Sequence, residues 1–156
     1  MMSIEQVREQ AERLLAEILS HMGVEVEVRG RVDGEAVALD LDGPEVGLVI
    51  GREGRTLDAL QQLLVRALLR EGGAGIGIRV DAQGYQARRN ETLQRMAERT
   101  AQEVRESGRS ATLPHLTPSE RRVVHAAAGK VVGVRTRSEG EGEGRVLIIE
   151  PAGQAS

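Results

Sequence analysis

Between Ile4 and Val80 the spacing of apolar residues changes period three times, which commits the chain to a mixed fold. Ile4, Val7, Ala11, Leu14, Ile18 and Met22 recur at intervals of three and four, one apolar stripe on a helix that ends near Gly23. The interval then drops to two. Val24, Val26 and Val28 alternate with polar residues, and after Asp33-Gly34 so do Val37, Leu39 and Leu41. Two half-buried strands joined by Asp-Gly predict a hairpin. Gly43-Pro44 opens a short apolar segment, Val46 to Ile50, followed by Gly51-Arg52-Glu53-Gly54. Leu57, Leu60, Leu64, Ala67 and Leu68 restore helical spacing until Gly72-Gly73 stops it, and Ile76, Ile78 and Val80 alternate as a third strand. The expected order is helix, strand, strand, short helix, glycine loop, helix, strand: an α+β domain with helices on one face of a small sheet.

Leu93, Met96, Ala97, Thr100 and Val104 mark another long helix from Tyr85 to about Ser107, read here as a connection between two domains. Arg88, Arg95 and Arg99 share its far side among glutamates, a pattern that a solvated, ion-paired face explains. Beyond a loop from Gly108, Thr117-Pro118-Ser119-Glu120 carries an N-cap, a first-turn proline and a capping-box acid, so a helix should run to about Ala128. Val131 to Val134 and Arg145 to Ile149 read as strands. The Gly-Glu repeats between Ser138 and Gly144 are expected to be a disordered acidic connection and no metal site. The domain reading is 1–83, a connecting helix 84–108, a second domain 109–151 and a frayed tail 152–156.

Composition removes several functions. There is no Cys, so disulfides, thiolate metal sites and cysteine nucleophiles are excluded. No run approaches 18 apolar residues, so no membrane span is expected. The N-terminus has no signal-peptide pattern, and a cytoplasmic address is expected. Tyr85 is the single aromatic residue, which argues against base-stacking platforms and aromatic ligand pockets. The histidines His21, His115 and His125 have no metal-ligand spacing, and Asp40 and Asp42 read as an exposed strand face rather than a catalytic pair. No enzyme activity and no cofactor are expected. Charge is uneven: residues 1–83 carry nine arginines against fifteen acids, a net of −6, whereas residues 84–138 carry eleven basic residues against five acids, a net of +6. A polyanion would be drawn to the later half.

Two segments carry candidate chemistry. In Ile50-Gly51-Arg52-Glu53-Gly54-Arg55, two glycines three apart allow close approach of a ligand, and the following helix offers free N–H groups. In Arg121-Arg122-Val-Val-His125, a guanidinium and an imidazole four apart share a helical face near the helix N-terminus, which suits a phosphate. Spacing alone leaves a second reading open, an exposed arginine and a half-buried histidine on an ordinary helix.

The context of these motifs resembles known domains. The element order and the Ile-Gly-Arg-Glu-Gly loop resemble a KH domain of type II topology (αββααβ), and Thr-Pro-Ser-Glu-Arg-Arg-Val-Val-His resembles an R-3-H domain. Together, Gly-Arg-Glu-Gly-Arg-Thr-Leu-Asp-Ala-Leu-Gln (51–61), Gly-Tyr-Gln-Ala-Arg-Arg-Asn-Glu-Thr-Leu (84–93) and Glu-Arg-Arg-Val-Val-His (120–125) resemble the bacterial Jag family, also called KhpB or SpoIIIJ-associated. The resemblance implies a KH domain joined by a long helix to a small α/β R-3-H domain. It implies single-stranded RNA, or single-stranded DNA, held at Ile50, Gly51, Arg52, Glu53, Gly54, Arg55, Arg121, Arg122 and His125, with Leu57 as a further groove residue. It also implies an RNA chaperone with a small single-domain KH protein as partner and a role in cell elongation and cell-wall homeostasis. Pairing with another KH protein or with membrane-insertion machinery, RNA being incidental, is the alternative. Two residues depart from the family pattern. Glu53 stands where family loops often carry a basic residue, and Ser119 where members often carry Tyr. Many members have an additional N-terminal domain, which is not expected here.

Overall fold

A computed structural model describes residues 1–153. It divides into two compact units, Met1–Gln86 and Ala87–Ser156, each with its own core.

The first unit follows the order read from the apolar spacing: α1 (Ile4–His21), β1 (Glu27–Asp33), β2 (Ala36–Asp42), α2 (Val46–Ile50), a single 3-10 turn (Arg52–Gly54), α3 (Arg55–Arg70) and β3 (Gly77–Ala82). Ser3 starts α1 as a capping box: its hydroxyl accepts the Gln6 N–H, and the Gln6 side chain accepts the Ser3 N–H. Such a cap contributes about 1 kcal/mol. The buried face of α1 is Val7, Ala11, Leu15 and Leu19, one position round from the Leu14–Ile18 stripe that the spacing suggested. Both pairs are apolar, and the sheet selects the i, i+4 ladder; Leu14 and Ile18 are left half-buried at its margin. β1 and β2 pair antiparallel and β2 and β3 parallel, giving the order β1-β2-β3. A parallel neighbour needs a long crossover. Here α2, the glycine loop and α3 supply it, so the loop sits in the crossover. Central β2 buries Val37, Ala38, Leu39 and Leu41, while edge strand β1 alternates exposed and half-buried residues.

The second unit begins within α4 (Tyr85–Ser107) and continues through β4 (Ala111–Leu113), α5 (Pro118–Ala128), β5 (Val134–Glu139), a 3-10 turn (Gly142–Gly144) and β6 (Val146–Pro151). Its sheet is antiparallel, with β6 between β4 and β5. Leu93, Ala97, Ala101 and Val104 of α4 pack with Val124, Ala127 and Ala128 of α5 and with Leu147 and Ile149 of β6.

Three local expectations need correction. β4 lies in what read as loop; three residues between Ser110 and Pro114 are too few to display a period. The strand placed at Val131–Val134 starts only at Val134, because Val131 to Gly133 form a bend and turn. The strand then runs on through Ser138 and Glu139, into the stretch expected to be disordered. Its ladder with β6 extends to Glu139 opposite Val146, and Gly142–Gly144 closes the hairpin as an ordered turn. Cross-strand pairing supplies order that composition alone does not reveal: Glu150 accepts from Arg135 at 3.0 Å and from Arg137 at 3.2 Å. Of the tail, Ala152 and Gly153 form a turn, and the expectation for 154–156 lies outside the described residues. No helix among the described residues is long and apolar enough to cross a membrane.

Candidate nucleic-acid interface

In the first unit the candidate residues form one continuous loop. Ile50 ends α2 half-buried; Arg52 and Glu53 are exposed on the 3-10 turn; Arg55 opens α3 and is exposed. Leu57, offered as a groove residue, is only 3% exposed and belongs to the core. The two glycines satisfy the protein's own geometry. Gly51 has φ 73° and ψ −177°, a region open essentially to glycine alone. A Cβ there would meet the Thr56 hydroxyl and lie 3.0 Å from the Thr56 backbone nitrogen. Gly54 is buried at φ 76°, and its Cβ would fall 2.6 Å from the Tyr85 ring. Both absent side chains therefore make room for Thr56 and Tyr85. Glu53 lies between them in the left-handed region, at φ 54°.

A depression elsewhere on this unit is lined by Glu25, Val26, Glu27, Asp42, Gly43 and Pro44. The Gln83 amide and the Gly43 N–H both donate to the Asp42 carboxylate, which holds it below the usual carboxylate range. Its sign is wrong for a polyanion.

In the second unit, α5 carries the other candidate residues. Thr117 caps it with the predicted capping box: the Thr117 hydroxyl accepts the Glu120 N–H at 3.2 Å, and the Glu120 carboxylate accepts the Thr117 N–H at 3.0 Å. Glu120 is buried, with 4% exposure, and its second oxygen accepts Arg89 Nε at 3.1 Å. The ion pair joins α4 to the start of α5 and fixes where the next turn points. From that turn project Arg121, half-buried, and Arg122 and His125, both exposed. Arg121 donates to the Leu116 carbonyl at 2.7 Å, so part of its donor capacity serves the fold. Nδ1 of His125 is hydrogen-bonded to the Thr136 hydroxyl on β5, leaving Nε2 for a ligand.

These three residues line one cleft of about 480 Å³ between α5 and the β5–β6 hairpin. Thr136, Arg137, Ser138 and Arg145 form its other wall. Arg137 and Arg145 are not legible as cleft residues in the sequence, because the segment between them reads as disordered. The available signal was the run Val134-Arg-Thr-Arg-Ser138, which alternates as an edge strand does. Four guanidiniums and an imidazole in one concavity suit a polyanion held by charge-assisted hydrogen bonds. Among the described residues no group of His, Asp or Glu is arranged to hold a metal ion.

Comparison with known proteins matches both units. The family model for the KH domain of KhpA and KhpB covers residues 8–81, and that for the R-3-H domain covers 91–151. The RNA-binding protein KhpB of Bacillus subtilis is 32% identical over 143 residues, which are 90% of this chain and 69% of that protein. The chain belongs to the KhpB family. The KhpB of Clostridium symbiosum is 35% identical over 129 residues, and that of Lactiplantibacillus plantarum 32% over 143. The chain spans 58% and 44% of the length of these two relatives.

Proposed function

We propose that the chain binds single-stranded RNA through its sugar-phosphate backbone, with the cleft between α5 and the β5–β6 hairpin as the main contact. The observation that carries this reading is the convergence of Arg121, Arg122 and His125 with Arg137 and Arg145 of the β5–β6 hairpin in one open cleft. The net charge of +6 over residues 84–138 and the RNA-binding name of the KhpB relatives support it. With one aromatic residue in the chain, phosphate contacts rather than base stacking supply the affinity. Single-stranded DNA, which has the same charged backbone, is a second substrate on this reading. The Gly51–Gly54 loop is a weaker contact, because Glu53 repels phosphate where Arg52 and Arg55 attract it. Family membership extends the proposal to an RNA chaperone and post-transcriptional regulator in the cytoplasm. It would act in cell elongation and cell-wall homeostasis beside a small single-domain KH protein, as a binding protein rather than an enzyme.

The test is fluorescence anisotropy of a labelled single-stranded oligoribonucleotide over a range of salt. Arg122→Ala is the clean variant, since Arg122 has no hydrogen-bond or ion-pair partner among the described residues, whereas Arg121 also supports Leu116. Affinity should fall about tenfold for every sequence, and the slope of log affinity against log salt should flatten by about 0.7, one phosphate contact to a single strand. Unchanged affinity and slope would contradict the reading.

A second reading is an adaptor in which the first unit pairs with another protein and RNA is incidental. Leu48, Leu63 and Leu69 favour it, standing 60%, 55% and 50% exposed on a unit whose loop carries Glu53. Partners retained in a pull-down after nuclease treatment would support it; partners lost with the RNA would count against it.

A further inference from the structure

Resting on the RNA-binding reading, we infer that Arg145 is a phosphodiester-binding residue, so that the strand is gripped from the hairpin as well as from α5. Arg145 is exposed, lines the same cleft as Arg122 and His125, and comes from the opposite wall, where the Gly142–Gly144 turn enters β6. Its backbone is held by that turn, the Arg145 N–H donating to the Gly142 carbonyl at 3.2 Å. The guanidinium itself has no hydrogen-bond or ion-pair partner among the described residues. Arg137, the other hairpin cation of the cleft, is differently placed. Its Nε donates to Glu150 at 3.2 Å, and an amino group lies 3.4 Å from Glu139. Two carboxylates thus offset the charge of Arg137, and ligand binding would have to compete with them. An unpaired arginine offers its full charge and all five donors. An anion between Arg122 and Arg145 meets cations from both sides, whereas either wall alone would leave one side of the phosphate to solvent. The ligand class is the phosphodiester of a single strand, read without regard to base.

The full-length chain and the same labelled oligoribonucleotide test this. Arg145→Ala should lower affinity about tenfold at low salt and flatten the salt slope by about 0.7, with thermal stability little changed because no side-chain hydrogen bond or ion pair is lost. Arg109→Ala makes the same change in net charge at an exposed residue that does not line the cleft, and should stay within about twofold of wild type. Arg145→Lys should recover part of the loss, since it restores charge without the planar fork. If Arg145→Ala matches Arg109→Ala while Arg122→Ala weakens binding, the hairpin contact is wrong and the α5 contact stands. If Arg122→Ala and Arg145→Ala both leave affinity unchanged, the RNA-binding reading of the cleft falls as well.

Discussion

Arg89→Ala is expected to destabilise the second unit by about 3 kcal/mol while leaving the first unit unchanged. Arg89 and Glu120 form an ion pair whose side chains are 18% and 5% exposed. Removing one partner of a buried pair leaves the other charge without compensation, at a cost of about 3–5 kcal/mol. The lower end applies because Glu120 still accepts the Thr117 N–H. A loss of this size lowers the melting temperature of a unit this small by on the order of 15 °C. Urea titration followed by backbone amide signals separates the units, with Val124 and Leu147 reporting on the second and Leu39 and Leu64 on the first. A loss below about 0.5 kcal/mol would mean that the pair is no anchor for α5. The cleft should suffer with the fold, since this pair sets the direction of the turn bearing Arg121 and Arg122.

Gly51→Ala is expected to cost the first unit about 3 kcal/mol. A residue with a side chain at φ 73°, ψ −177° is strained by about 1–3 kcal/mol, and the new methyl group would press on Thr56, including its backbone nitrogen. Gly54→Ala should cost less, about 2 kcal/mol. Its left-handed backbone is accessible to other residues at about 1–2 kcal/mol, and the obstruction is a side-chain ring. Tyr85→Ala in the same chain should therefore relieve part of the Gly54→Ala cost and none of the Gly51→Ala cost. The same urea titration, read at Leu39 and Leu64, measures both; equal costs for the two glycines would contradict the assignment. A binding defect in either glycine variant would then follow from a damaged loop and says little about contact with RNA. Arg52→Ala and Arg55→Ala are better probes there, because both side chains are exposed.

Much of this architecture is legible in the chain because period and punctuation agree. In α3 the spacing names Leu57, Leu60, Leu64, Ala67 and Leu68, and the four leucines are buried while Ala67 is half-buried at the margin. At Thr117 the capping signature marks the start of α5 to the residue. Legibility ends where order depends on distant partners. The end of β5 and the turn after it, residues 138–144, look like a low-complexity acidic linker until Glu150 is set opposite Arg135. Arg89 looks like one more cation on a solvated helix until Glu120, thirty-one residues on, is placed against it. The glycine pair is visible as a motif, but its dependence on Thr56 and Tyr85 is not, since Gly54 and Tyr85 are far apart in the chain and adjacent in space. For the same reason, the motif Arg121-x-x-x-His125 displays one wall of the cleft and hides the wall that carries Arg145.

The most direct measurement is an NMR titration of the full chain with an unlabelled single-stranded oligoribonucleotide at low salt. Saturable shifts are expected at residues 121–125, at Thr136 and at Arg145, with smaller shifts at 50–55. Raising salt should reverse all of them together. Shifts confined to other surfaces, with these positions unmoved at saturation, would contradict the RNA-binding reading.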